Sequence, residues 1–325
     1  MTLQRRRFLQ IAASAAAQPA LSRIARAQAY PSRPVRIIVG FAAGGGYDIV
    51  ARLIGQWLSE RLGQPFVIEN RPGAATNIAT HAVVNAPPDG YTLLLVGSAN
   101  AVNATFYPKL NFNFIRDIAP VSSITQQPQV MLTNPSFPAK TIPEFIDYAK
   151  ANPGKVNMSS PGVGTIPHLA GELFKTMTGV NLVHVPFSGN SPALTALLGG
   201  QVEVSFGSLP ASIEFIRTGQ LRGLGLTSAM AVDVPSDIPT VAEFVPGYEV
   251  SSWYGIGAPK HTPAEIIDKL NKEINAALAD PKMKARLAEL GGTVLPGSPA
   301  DFGKFIAEES EKWGKAIRAA NIGPA

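Results

Sequence analysis

Three short segments carry the residues best placed to do chemistry. They are Phe41-Ala42-Ala43-Gly44-Gly45-Gly46-Tyr47-Asp48, Ser160-Pro161-Gly162-Val163-Gly164-Thr165 with His168, and Phe187-Ser188-Gly189-Asn190-Ser191-Pro192. Each stands between an apolar run and a helical pattern. A Gly-, Ser- or Pro-rich turn at such a place leaves backbone N–H groups free at a helix N-terminus, which carries roughly half a positive charge. In an open α/β sheet these turns line the crevice at the strands' C-terminal ends. The chemistry on offer is the holding of an anion.

Groups that would transform that anion are missing. Gly44-Gly45-Gly46-Tyr47-Asp48-Ile49 fails G-x-G-x-x-G at its last position, and the bulky Tyr47 argues against a dinucleotide even though Glu69 sits where a ribose-binding acid would stand. Gly189-Asn190-Ser191-Pro192-Ala193 approximates a nucleophile elbow. Pro192, however, has no N–H to give an oxyanion, so Ser191 reads as a helix cap. His81, His168, His184 and His261 show no paired ligand spacing, and there is no cysteine. Metal, thiol and disulfide chemistry are therefore not expected, nor is a lipid anchor on cysteine. His168 follows a glycine turn and either faces the crevice or lies on its helix surface. No catalytic residue and no cofactor are expected.

The elements that must position these turns follow from patterning. With 46% hydrophobic and 16% charged residues over 325 positions, the chain is too apolar for disorder and long enough for two domains. It has no apolar run long enough to span a membrane. Val35–Val39, apolar apart from Arg36, is a strand, followed by a helix from Asp48 to Leu62 that Gly63 stops. Further strands are expected at Phe66–Glu69, Tyr91–Gly97, Val121–Thr133 (broken by Pro128), Val156–Ser159, Leu182–Val185, Val202–Phe206 and Leu221–Leu226. Helices are expected at Asn77–Asn85, at Thr141–Ala151 with a Thr cap, and up to Thr178 with Leu169, Leu173, Phe174 and Met177 inward. Another begins with Pro192 in its first turn, and the chain is mostly helical from Pro263 to Ile317. No repeat of fixed period is visible. The class is α/β.

The formal charge of +5 belongs to the first 27 residues. Arg5, Arg6, Arg7, Arg23 and Arg26 lie there with no acid, so the remainder has 23 basic against 23 acidic residues. A basic face for nucleic acid is thus not indicated. The same stretch reads as an export signal with cleavage after Ala27. Arg5-Arg6 with Phe8-Leu9 resembles a twin-arginine signal, a Sec signal being the alternative. A free periplasmic protein is expected.

Across nearly the whole mature chain the sequence resembles the Bug family, the TctC-type solute receptors of tripartite tricarboxylate transporters. The matching stretches include Tyr30-Pro31-Ser32-Arg33-Pro34, Gly44-Gly45-x-x-Asp48, Glu69-Asn70-Arg71-Pro72-Gly73-Ala74 and Pro88-Asp89-Gly90-Tyr91-Thr92-Leu93. Asn152-Pro153-Gly154, Ser160–Thr165 with His168-Leu169, His184–Gly189 and Trp253-Tyr254-Gly255 continue the series. The resemblance implies a type II periplasmic-binding-protein fold. One domain would comprise residues 28–125 plus 250–325 and the other residues 126–249, with a cleft between them. It also implies a small carboxylated ligand gripped by loop N–H groups, hydroxyls and bridging water, and a monomeric receptor serving membrane permease subunits.

Carried onto this chain, the first-domain contacts would be Phe41, Ala43, Gly44, Gly45, Tyr47 and Asp48, with Ser98 and Asn100 from a strand end. The second domain would supply Ser160, Gly162, Gly164, Thr165, His168, Phe187, Gly189, Gly207 and Ser208. Crossover strands are expected near Ile124–Gln127 and Val250–Trp253. Two positions depart from the family: Gly46-Tyr47 where Ser or Thr is common, and Ala75-Thr76 where a Gly pair is usual. Tyr47 is expected to set ligand choice toward a shorter or aromatic carboxylate, unless it points to the surface. The competing readings of the same fold are a receptor that signals through a membrane sensor kinase and an extracytoplasmic enzyme.

Overall fold

Each strand expected from the sequence joins one sheet. The computed structural model describes residues 30–107, 109–228 and 238–319. The export-signal reading, with its cleavage after Ala27, lies outside these residues. From Arg33 onward the chain forms one unit.

In chain order the elements are β1 (Val35–Val39), α1 (Gly46–Leu62), β2 (Phe66–Asn70), α2 (Asn77–Val84), β3 (Thr92–Gly97), α3 (Ser98–Phe106) and the single turn α4 (Phe114–Asp117). The long strand β4 (Ile118–Thr133) leads to α5 (Ile142–Ala151), β5 (Val156–Ser160), α6 (Ile166–Thr178), β6 (Leu182–Pro186) and α7 (Asn190–Leu198). Next are β7 (Val204–Ser208), α8 (Leu209–Arg217), β8 (Arg222–Leu226) and β9 (Ser251–Pro259). The chain closes with α9 (Ala264–Ala279), α10 (Pro281–Glu289), β10 (Thr293–Val294) and α11 (Pro299–Ala319).

The strands run in the order β2-β1-β3-β9-β4-β7-β5-β6, with β8 and β10 also on β4. Two halves of one design are visible in that order. In the first, β1 pairs in parallel with β2 and β3, and β9 is antiparallel to β3. In the second, β5 pairs in parallel with β6 and β7, and β4 is antiparallel to β7. The repeat is topological and has no counterpart in sequence spacing. β4 belongs to both halves: it pairs with β9 from Ile118 to Pro128 and with β7 from Gln129 to Thr133.

Several expectations are corrected. Pro128 does not break β4; it sits at the handover between ladders, where a missing N–H is tolerated. Ser98–Asn100 is the first turn of α3, not a strand end. Asn100 Oδ1 accepts the Gly97 N–H (2.9 Å), so the helix begins with no loop to announce it. Met177 faces solvent at 38% exposure, while Leu169 and Phe174 are buried as expected. The helix α8 and the short strand β10 had no sequence signal. Thr141 does cap α5, accepting the Glu144 N–H.

The largest core joins the halves. Val102 and Phe106 of α3, with Trp313 and Ile317 of α11, pack with Phe145, Phe174, Phe206 and Tyr248. Fully burying one such side chain contributes roughly 1.5–3 kcal/mol.

Candidate ligand-binding site

The turn after β1 is tied back onto its own helix by a carboxylate. Asp48, in the first turn of α1, accepts the Gly44 N–H (2.9 Å) and Arg52 Nε (2.8 Å) on Oδ2. Its Oδ1 accepts Arg52 Nη2 (2.9 Å) and Asn70 Nδ2 (3.0 Å). Burial pushes this carboxyl upward, but the hydrogen bonds from Arg52, Gly44 and Asn70 outweigh it and hold the pKa below 3.8. Asp48 is therefore ionised at neutral pH, with both oxygens engaged by the chain.

The turn after β5 is tied in the same way by an imidazole. Gly164 N–H donates to His168 Nδ1 (3.1 Å), again from residue i to residue i+4. Gly44 and Gly164 even share a left-handed backbone, φ +80° and +78°, that a side chain would resist. His168 stacks on His184 with ring centroids 4.0 Å apart, and His184 Nε2 lies 2.6 Å from Ser160 Oγ. Burial, with Lys175 nearby, lowers the His168 pKa to about 4. Burial and the neighbouring His168 lower His184 to about 4 as well. Both rings are neutral at neutral pH.

Between these turns lies a narrow cavity. Four helices begin at its wall: α1 at Gly46 and Tyr47, α3 at Ala99, α6 at Ile166 and Pro167, and α7 at Asn190. Phe41, Gly45, Pro161 and Thr165 complete the turns, and Gln129, Ser252 and Tyr254 come from the crossing strands. Gln129 Nε2 donates to Ser252 Oγ (2.7 Å). Tyr47 is buried, with its ring 4.6 Å from Phe41 and 4.9 Å, edge-on, from Tyr254. Its hydroxyl accepts the Ala99 N–H (3.2 Å). Burial holds Tyr254 protonated up to about 12, against the pull of the Ser208 and Ser252 hydroxyls, and Tyr47 is raised further still. No side chain of the wall carries a positive charge. Helix ends supply the positive potential instead.

Of the residues expected from sequence, Phe41, Gly45, Tyr47 and Thr165 stand at this wall. Gly162 and Phe187 line an adjoining recess of about 700 Å³ that shares Phe41 and Pro161 with the cavity. The turns that carry Ala43 and Gly189 touch each other. Ser191 Oγ donates to the Ala43 carbonyl (2.6 Å), and a Cβ on Gly189 would lie 3.1 Å from that of Ala42. Ser191 thus bridges two turns rather than capping α7.

Gly44, Asp48, Ser160, Gly164 and His168 brace the turns. Ser98 Oγ accepts the Trp253 N–H (2.8 Å), and Asn100 is turned inward to Thr76 and Thr80. Gly207 packs against Leu132, and Ser208 lies beside Gly46. The Thr165 hydroxyl donates to the Gly162 carbonyl (2.7 Å) and makes no side-chain cap. Gln129, Ser252 and Tyr254 were not expected in the wall, and Asn190 only as part of its turn. The polar run Gln126-Gln127-Pro128-Gln129 inside a buried strand was the available signal. Among the described residues, no group of three or more His, Asp or Glu could hold a metal ion.

The profile of the family described as "Tripartite tricarboxylate transporter family receptor" matches residues 50–322. Among solved structures, the chain is similar to Rpa4515 of R. palustris with adipate: 37% identity, TM-score 0.89, covering 91% of this chain and 100% of that one. It is similar to the periplasmic binding protein BugD, with 33% identity and TM-score 0.87 over 90% of this chain and 99% of that one. MatC from Rhodopseudomonas palustris with bound malate gives 32% identity and TM-score 0.84, over 89% and 100% of the two chains.

Proposed function

The chain belongs to the receptor family of tripartite tricarboxylate transporters, and from that premise we propose that it captures a small carboxylated metabolite in the periplasm and delivers it to the permease subunits of such a transporter. Receptors of this family bind solutes and do not turn them over. The observation that carries the reading is the convergence of four helix N-termini on one largely apolar cavity whose wall bears no cationic side chain. Such ends favour an anion without an arginine clamp. Neighbours solved with adipate and with malate agree with that ligand class.

The two halves, residues 28–125 plus 250–325 and residues 126–249, act as the two jaws, and the receptor works as a monomer. The handover of β4 between ladders at Pro128 and Gln129, with β9 returning at Ser251, supports this division. A thermal-shift screen of the mature protein against mono-, di- and aromatic carboxylates tests the reading. A ligand at 100 times its Kd stabilises by about 2.7 kcal/mol. A panel in which no carboxylate moves Tm sinks it.

A further inference from the structure

Of the four helix ends at the cavity, one is occupied by the chain's own side chains. At α3, Asn100 Oδ1 occupies the Gly97 N–H and the Tyr47 hydroxyl occupies the Ala99 N–H (3.2 Å). Ala99 itself stands at the cavity wall. The phenol reaches it only because residue 97 is bare: a Cβ there would lie 2.5 Å from the Tyr47 hydroxyl oxygen. Tyr47 is further fixed between Phe41 and Tyr254. So a neutral oxygen of the chain sits on a helix end where an anionic oxygen would otherwise be welcome.

The rest of that wall has only neutral polar groups, those of Thr165, Asn190, Gln129, Ser252 and Tyr254, to set against what Tyr47 takes. Phe41, Tyr47 and Tyr254 present ring faces and edges, and the nearest polar pair, Gln129 and Ser252, is already joined at 2.7 Å. An ionised group pushed against such a wall would exchange its water for a few neutral donors and no cationic partner, which is costly. An apolar or flat body would be well received.

The geometry points to Tyr47 as the residue that makes this pocket choose monocarboxylates over dicarboxylates: its hydroxyl stands where a ligand's second carboxylate would dock. This rests on the carboxylate reading above and narrows it. One carboxylate is held by the helix ends of α1, α6 and α7, and the remainder of the ligand lies against the three rings.

Calorimetric titration with matched pairs tests it, because hexanoate and adipate, or benzoate and terephthalate, differ only in the second carboxylate. The wild-type protein is expected to bind at least one monocarboxylate tenfold or more tightly than its matched diacid. Tyr47→Ser, which frees the Ala99 N–H and the ring's volume, is expected to shift that ratio tenfold or more toward the diacid. Tyr47→Phe frees the N–H but keeps the ring, and should shift it in the same direction by a smaller factor, about threefold.

Equal or tighter binding of both diacids by wild type overturns the inference. So does an unchanged ratio in a folded Tyr47→Ser or, should that variant not fold, in Tyr47→Thr. If no carboxylate binds either protein, the carboxylate reading itself falls, and this inference falls with it.

Discussion

The turn after β1 and the turn after β5 do the same job with different chemistry. Each follows the first strand of a three-stranded parallel set, each carries a left-handed glycine, and each is stitched from that glycine's N–H to a side chain four residues on. In the first half the acceptor is an ionised Asp48 held by Arg52 and Asn70. In the second it is a neutral His168 leaning on His184. The pair shows that topology dictates where a brace must stand but not what it is made of. One half of the sheet is braced by charge, the other by a ring that is neutral at neutral pH.

The largest effect should come from breaking the charged brace. Asp48→Ala frees the Gly44 N–H, leaves the Asn70 amide only the Phe41 carbonyl (3.0 Å) and leaves Arg52 only Asn70 Oδ1 (3.4 Å). It should cost about 3 kcal/mol, at the lower end for a buried pair because the Arg52 side chain is 54% exposed. Urea unfolding measures it, and a loss below about 1 kcal/mol would mean the brace is idle.

Acid should separate the two halves. A buried histidine with a folded pKa of about 4 against an ordinary 6.5 binds fewer protons folded than unfolded. Stability is therefore intact above 6.5 and falls as pH drops toward 4. Asp48, held below 3.8, keeps its contribution through that whole window and loses it only beneath. Replacing His168 with Asn keeps an acceptor near the Nδ1 position and removes the titration. Between pH 6.5 and 4.5, wild type should lose roughly 2 kcal/mol more than His168→Asn. Parallel Tm-against-pH profiles for the two proteins would refute the contrast.

The smallest effect concerns a feature found in the first half alone. Ala74, Ala75 and Thr76 all have left-handed backbones, φ 45°, 48° and 83°, and none is glycine. Asn103 Nδ2 donates to the Ala75 carbonyl, and Asn100 Nδ2 to Thr76 Oγ1 (3.1 Å), so neighbouring side chains hold the strained turn. Ala75 and Thr76, where the resemblance led to the expectation of a Gly pair, thus hold a left-handed backbone without glycine. Ala75→Gly should gain about 0.5 kcal/mol, the relief of the left-handed penalty less the added chain entropy. A lower urea midpoint for the variant would show that the turn is not strained.

The alternation of strands and helices was legible because Gly and Pro punctuate most junctions, as at Gly63 and at Pro192. It failed where a strand runs straight into a helix. Gly97-Ser98 and Ser208-Leu209 join β3 to α3 and β7 to α8 with no loop residue between them. The site was legible on its turns for the same reason that glycines mark turns. Its floor was not, because Gln129, Ser252 and Tyr254 meet only when β4 and β9 cross. His168 was read as a group facing either the cleft or solvent. Only the three-dimensional placement of His184, remote in sequence, shows it to be a stacked brace.

The strand order also sets a timetable for synthesis. β3 reads Thr-Leu-Leu-Leu-Val-Gly with every residue buried, and Leu94 pairs with Gly257 of β9. While β4 to β8 are still being made and threaded, that edge has no partner. Trp253 and Phe302, which cover the same core, arrive later still. Contacts so distant in sequence form slowly, and a bare apolar edge invites pairing with other chains. The half begun first is therefore the half finished last, and the nascent chain must be shielded at β3 until its C-terminal third emerges.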